Sequence, residues 1–172
     1  MLFRSLDANS KVIYGGNSNA ATANYADLEL STGAIVTVTG NITVTETLTL
    51  NTGAELNIQS NTIDLRQNVN GTGAFTGSST SDILISGSNS FNLNFSSGNE
   101  TLENLTLNTS GTITLSTDLD IANSGSMVLT AGNLDLNASN IDFTSGSTFS
   151  RTSRSEEHTS ELQSQFRISY AV

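Results

Sequence analysis

The chain of 172 residues contains no cysteine and no proline, and its only histidine is His158. Without cysteine it can form neither a disulfide framework nor a thiolate metal site. Charged residues make up 13% of the sequence, about half the share found in ordinary globular domains. Six basic residues face sixteen acidic ones, for a net charge of −10, which argues against nucleic-acid binding because that function needs a basic surface. No apolar run reaches the roughly 20 residues that a membrane-spanning helix requires, so we expect no membrane insertion.

Both ends of the chain resemble translated DNA from a sequencing library rather than protein. The segment RSEEHTSELQS, which begins at Arg154, matches the translation of a short-read adapter, and the opening MLFRS matches the reverse complement of that adapter. We therefore predict that residues 1–5 and 154–172 are adapter read-through and that residues 6–153 are an internal fragment of a longer protein. The alternative for the tail is a natural acidic helix capped by Ser155. Since His158 lies in the tail, histidine-based triads and metal sites are excluded from residues 6–153.

Short alternation of apolar and polar residues runs through the whole of this central segment. Such alternation is typical of half-buried β-strands. The apolar pairs are separated by Gly, Asn, Ser or Thr, and they are Leu28/Leu30, Val36/Val38, Ile42/Val44, Leu48/Leu50, Leu56/Ile58, Ile63/Leu65, Leu105/Leu107, Ile113/Leu115, Leu119/Ile121, Met127/Leu129, Leu134/Leu136 and Ile141/Phe143. Three successive pairs form one unit of about 20 to 22 residues, which is a period typical of solenoid repeats.

These units are part of a longer sequence repeat of 77 to 78 residues. The spacing from Leu28 to Leu105 is 77, and the spacing from Leu56 to Leu134 is 78. The repeat divides the segment into three parts. They are a first part (residues 6–65), an irregular wide coil with larger loops (residues 66–101) and a second part (residues 102–153). Self-similarity at a fixed short period predicts a solenoid, in which each repeat packs on its neighbours.

Two all-β architectures could use such strands. An antiparallel β-sandwich needs tight reversals such as Asn-Gly, and the regular units contain none, because Asn70-Gly71 lies outside them. A parallel β-helix needs three short strands and gentle corners in each coil, which agrees with three pairs per unit. The absence of proline also fits, because interior strands donate hydrogen bonds on both sides. We predict a right-handed parallel β-helix of about five to six coils, with the sandwich as the minor alternative.

The repeats resemble those of very large secreted bacterial surface proteins with adhesin-like β-helices. The resemblance covers about residues 6–153 and is carried by LELSTGAIVTVTGNITVTETLTLNTGAELNI and TLENLTLNTSGTITLSTDLDIANSGSMVLTAGNLDL. It implies an extracellular or cell-surface location and a scaffold without shared catalytic residues. The partners it implies are glycans or neighbouring surface proteins.

Catalytic motifs are absent: the sequence has no P-loop, GxSxG, HExxH or calcium-loop pattern. One group of acidic residues is a candidate site. The outward residues of the third strand in successive coils are expected to be Thr43, Asp64, Asn92, Asp120 and Asp142. Carboxylates on neighbouring coils would lie ~4.8 Å apart and repel each other by about 1 kcal/mol in water. A bound Ca²⁺ would relieve this repulsion, so Asp118, Asp120 and Asp142 are a candidate calcium site. The preferred interpretation is a solvated acidic stripe that binds no metal.

The sequence thus predicts no catalytic residue, no cofactor and no enzymatic activity. It predicts a structural stalk or adhesion module of an extracellular bacterial surface protein. The alternative is a non-catalytic portion of a β-helix polysaccharide lyase or another carbohydrate-active enzyme. Such lyases place a basic residue beside acidic ones, and of Lys11, Arg66 and Arg151 only Arg66 is expected near the acidic stripe.

Overall fold

The computed structural model describes residues 10–152 together with the backbone of residues 169–170. The described residues form strands and no helix, which confirms the all-β prediction. The strands are β1 (Lys11–Tyr14), β2 (Ser18–Ala20), β3 (Ala23–Leu30), β4 (Ile35–Val38), β5 (Ile42–Leu50), β6 (Glu55–Asn57), β7 (Thr62–Leu65), β8 (Asn68–Gly71), β9 (Ala74–Thr76), β10 (Asp82–Gly87), β11 (Phe91–Leu93), β12 (Thr101–Leu115), β13 (Leu119–Asp135), β14 (Ile141–Phe143), β15 (Thr148–Arg151) and β16 (Ser169–Tyr170).

Every strand pairing in the described part of the chain is parallel. Register partners lie one repeat unit apart in sequence, as Leu28 does from Leu48 and Leu105 from Met127. The described part of the chain therefore winds as a stack of about six turns. This confirms the parallel β-helix, since a sandwich would require antiparallel ladders.

Three faces run along the stack, and each is built from inward apolar side chains of successive coils. The first face stacks Val12, Leu28, Leu48 and Val69 and, beyond a gap, Phe91, Ile113 and Leu134. The second face stacks Val36, Leu56, Phe75 and Phe95, followed by Leu102, Ile121 and Phe143. The third face stacks Ile42, Ile63, Ile83, Leu105, Met127 and Phe149.

The core between these faces contains the apolar members of the alternating pattern, and the polar members lie outside it. Leu28, Leu56 and Leu107 are fully buried, whereas Thr37, Thr49 and Thr106 lie half-buried on the outside. Each fully buried aliphatic side chain contributes roughly 1.5–3 kcal/mol. Within the described residues only two polar side chains are buried, Ser81 and Thr109. The interior of the described stack is therefore built almost entirely from apolar side chains.

The 77-residue repeat does not match a whole number of coils. One coil leads from Ile42 to its register partner Ile63, so the repeat advances the chain by about three and two-thirds coils. Leu28 consequently lies on the first face, whereas Leu105 stacks on Ile83 of the third face. Residues that correspond in the two copies of the repeat thus occupy different faces.

The stretch 66–101 follows the ordinary register on two of the three faces. On the third face, for example, Ile63 partners Ile83, and Ile83 in turn partners Leu105. On the first face, however, β8 pairs with β5 and β11 pairs with β12, while β8 and β11 do not pair with each other. We call the resulting opening between β8 and β11 the slot.

The predicted adapter segments lie mostly outside the described residues. Residues 1–5 lie outside them entirely, and of residues 154–172 only the two residues of β16 are described. In β16, Ser169 and Tyr170 are the register partners of Asp142 and Phe143. Among the described residues, no helical segment has the length and apolarity that a bilayer crossing requires.

Candidate functional site

A line of hydrogen-bonded polar side chains runs parallel to the axis along one corner of the stack. It comprises Asn41, Thr62, Asp82, Asn104 and Ser126, and we call it the corner ladder. The Thr62 amide donates to Asn41 Oδ1 at 2.9 Å, and the Thr62 hydroxyl donates to Asp82 Oδ2 at 3.3 Å. Asn104 Nδ2 donates to Asp82 Oδ1 at 2.7 Å, and Ser126 donates to Asn104 Oδ1 from its amide at 3.1 Å and from its hydroxyl at 2.7 Å. Five successive coils are thereby joined by side chains as well as by backbone.

The same kind of side-chain hydrogen bond joins neighbouring coils at other corners. Between Tyr25 and Asp27 the pairing with β5 is interrupted, and there Asp27 Oδ1 accepts the Thr47 amide at 3.1 Å. Asp118 Oδ1 likewise accepts the Asn140 amide of the next coil at 2.7 Å. Short Asn, Asp, Ser and Thr side chains can satisfy backbone donors in this way, and a buried donor left without a partner would be costly. Asp118 thus has a structural role at a corner.

The sequence contains a signal for the corner ladder that its repeat pattern alone did not reveal. Each member stands immediately before the first inward apolar residue of a third-face strand, as in Asn41-Ile42, Asp82-Ile83 and Asn104-Leu105. The residue type varies among amide, carboxylate and hydroxyl. Only the correct register between coils brings these different side chains into one hydrogen-bonded line.

The predicted column of outward third-strand residues is wrong as a single column. Asp64 partners Thr43 on one side and Leu84 on the other, whereas Asn92 belongs to the first face, where it partners Thr114. The error arises because β8 and β11 both lie on the first face, so residues 66–101 span more than one coil. Arg66 lies beside Asp64, with its Nε donating to Asp64 Oδ2 at 2.8 Å, so this ion pair is separate from the aspartates of the last coils.

Two of the predicted aspartates do stack. Asp120 and Asp142 are register partners on adjacent coils of the second face. Burial raises the pKa of the Asp120 carboxyl, and the negative charges of Asp142, Glu100 and Asp118 raise it further. A low-dielectric setting and like charges both disfavour the ionised form of a carboxyl group. The negative charge of Asp120 is therefore energetically unfavourable in this patch.

The acidic patch is predicted to be a solvated stripe, with a calcium site as the alternative. The described residues contain no group of three or more acidic or histidine side chains arranged to hold a metal ion. Asp118 directs Oδ1 to the Asn140 amide, and the groups that shift the pKa of Asp120 include no basic side chain. The calcium site at Asp118, Asp120 and Asp142 therefore stays a prediction, which calcium titration can test.

A second ion pair lies at the opposite end of the described stack. Lys11 on β1 contacts Glu29 on β3, which raises the pKa of the Lys11 ammonium and lowers that of the Glu29 carboxyl. Asn51 also donates to Glu29 Oε1 at 3.0 Å. Both charged groups are solvent-accessible, and exposed pairs of this kind contribute little to stability.

The outer surface thus offers structural hydrogen bonds and a strained acidic patch, and no nucleophile with an adjacent base stands out in the described residues. Comparison of the chain with protein-family models, with curated proteins and with solved structures finds no match.

Proposed function

We propose that this chain is a structural stalk module of an extracellular bacterial surface protein. The observation that carries the proposal is the corner ladder, which ties five coils together along the axis of the stack. A rod that bears load along its axis needs coil-to-coil bonds in that direction, and side-chain hydrogen bonds add to those of the backbone.

The architecture supports extension rather than catalysis. The strands pair with the coils before and after them, so the fold is a one-dimensional array that lengthens by adding repeats. The interior is filled by apolar side chains and provides no enclosed reaction chamber in the described residues. Such a body separates its two ends and holds them at a fixed distance.

The surface chemistry is suited to exposure outside a cell. The net charge of −10 makes neighbouring rods repel each other and favours solubility. Since the chain has no cysteine, its stability does not depend on disulfide formation or on the redox state of its surroundings. The resemblance to bacterial surface repeats adds the location, and it favours an internal, non-catalytic segment of a long protein.

The second candidate, a non-catalytic portion of a polysaccharide lyase, would gain support from a base beside the acidic patch. The groups that act on Asp120 are carboxylates, and Arg66 pairs with Asp64 on another face. The stalk is therefore the better-supported function.

Force spectroscopy tests the proposal directly. The chain is held between two marker domains and pulled along its axis, first unchanged and then with Asn104→Ala. Asn104 makes three side-chain hydrogen bonds in the corner ladder, so its loss is expected to cost about 2 kcal/mol and to lower the unfolding force. Asn108→Ala is the matched control, because Asn108 lies exposed on the same strand and outside the ladder.

A stalk is expected to resist extension and to give way over several coil-sized steps, with the Asn104 variant weaker than the Asn108 variant. Unfolding of the unchanged chain at forces near the noise level would contradict the proposal. Equal forces for the two variants would show that the corner ladder carries no load.

A further inference from the structure

One inward-column position beside the slot has no side chain. On the first face, the second inward position of each strand forms a column in which Leu30 partners Leu50 and Leu93 partners Leu115. Between these pairs the column contains Gly71, the register partner of Leu50. Gly71 has a φ of +97°, and a Cβ atom there would lie 2.0 Å from the Leu50 carbonyl oxygen. No larger residue can therefore fill this position without moving the backbone.

The two coils that border the slot remain joined elsewhere. Phe75 bridges to Phe95 on the second face, and Ile83 pairs with Leu105 on the third. The coils cannot close the opening by sliding together, because the other two faces already hold them in register. The backbone edges of β8 and β11 that face each other consequently lack ladder partners, and such groups need water or a ligand to satisfy them.

A cavity of about 260 Å³ opens at this point. Its polar lining is uncharged and includes Asn70, Asn92 and Ser116, while Leu50 and Val69 contribute apolar surface. The side chains of Asn70 and Asn92 are exposed, and neither side chain forms a hydrogen bond with another described residue.

This lining selects the chemistry of an occupant. With no charged side chain around the cavity, an ionic ligand would lose hydration without gaining a partner. Amide side chains both donate and accept hydrogen bonds, as hydroxyl groups do, and the aliphatic surface suits the C–H face of a ring. The volume lies below the roughly 300–1,000 Å³ of sites for drug-sized ligands, so one ring fits better than several.

We propose that the slot binds a single uncharged sugar ring, with the amides of Asn70 and Asn92 hydrogen-bonded to its hydroxyl groups. The ring packs its apolar face on Val69, and its remaining hydroxyls meet the unpaired backbone groups of β8 and β11. The binding site does not depend on the stalk function, because the corner ladder lies on another part of the coil.

NMR titration of the full ¹⁵N-labelled chain tests this site. The probes are glucose, galactose, mannose and N-acetylglucosamine, each added separately. At least one is expected to move the amide resonances of Asn68–Gly71 and Phe91–Leu93 in a saturable way, with a dissociation constant in the millimolar range. Asn92→Leu and Asn70→Leu are each expected to weaken that binding by about tenfold.

Asn57→Leu is the matched control. Asn57 occupies an outward position between Thr37 and Thr76 on a face whose ladder is intact, so the same substitution there should leave sugar binding unchanged. Dispersed amide spectra of all three variants establish that they are folded.

The proposal is overturned if none of the four sugars gives saturable shifts at β8 and β11, which would mean that the slot holds water only. It is equally overturned if binding is unaffected by both slot variants, or if the Asn57 variant loses binding to the same extent. None of these results bears on the axial unfolding force, so the stalk function stands or falls separately.

Discussion

A buried charge on the third face should unfold the stack, and Leu107 is the most informative position. Leu107 is 0% exposed and is stacked between Ile85 on one coil and Leu129 on the next. Removing such a side chain in a Leu→Ala substitution costs about 2–5 kcal/mol. Leu107→Asp loses the same contacts and in addition buries a carboxyl group without a partner.

The total loss is comparable to the roughly 5–15 kcal/mol that stabilises a typical domain. The neighbouring residue Thr106 provides the control, because it points outward on the same strand. Its register partners are Leu84 and Val128, so Thr106→Asp meets no like charge there and should change stability by about 0.5 kcal/mol or less. We expect the order of stability to be unchanged chain, Thr106→Asp, Leu107→Ala and Leu107→Asp.

Urea denaturation followed by circular dichroism measures these differences through the transition midpoint. The buried carboxyl that Leu107→Asp introduces should have a pKa above its ordinary value of about 3.9. Because the folded-state pKa is raised, the cost of ionising this carboxyl is absent at pH values below the unfolded-state pKa. That cost develops as pH rises through the folded-state pKa. The variant should therefore be less destabilised at pH 3 than at pH 7. Equal midpoints for the Leu107 and Thr106 aspartate variants would refute the inward and outward assignment.

Three further outcomes can be checked by thermal denaturation. The pKa of Asp120 is raised by burial and by neighbouring carboxylates, so ionisation of this carboxyl destabilises the fold as pH rises through that pKa. Asp120→Asn should therefore raise the melting temperature at pH 7 and have little effect at pH 3. A lower melting temperature of the variant at pH 7 would contradict this reasoning. Millimolar calcium should leave the melting temperature nearly unchanged. Calcium at tenfold excess over the dissociation constant of a specific site would add about 1.4 kcal/mol to the free energy of unfolding. A calcium-dependent rise in melting temperature that Asp142→Asn abolishes would establish a metal site instead. Deleting residues 1–5 and 154–172 should not change the melting temperature, because the described contact of the tail is the two-residue strand β16, and a large loss of stability would count against the adapter interpretation.

The sequence was sufficient to predict the architecture and the direction of most core side chains. Alternation of apolar and polar residues depends on local strand geometry, in which successive side chains point to opposite faces. Leu56, Leu107 and Ile113 can therefore be recognised as core residues from their immediate neighbours, and the structure buries all three. The short repeat of three apolar pairs likewise reports the length of one coil, because every coil must close a similar cross-section before the next is added.

Tertiary structure decided which coils place which residues side by side. The predicted column of outward third-strand residues placed Asn92 between Asp64 and Asp120, whereas the folded register pairs Asp64 with Leu84. Register between coils depends on how long each corner is, and corners made of Gly, Asn and Ser vary in length without changing the apolar pattern. The corner ladder and the slot are consequences of that register: the ladder needs Asp82 and Asn104 on adjacent coils, and the slot needs Gly71 to fall in the column of leucines. Neither is a property of a local sequence pattern, so each became visible only when the coils were stacked.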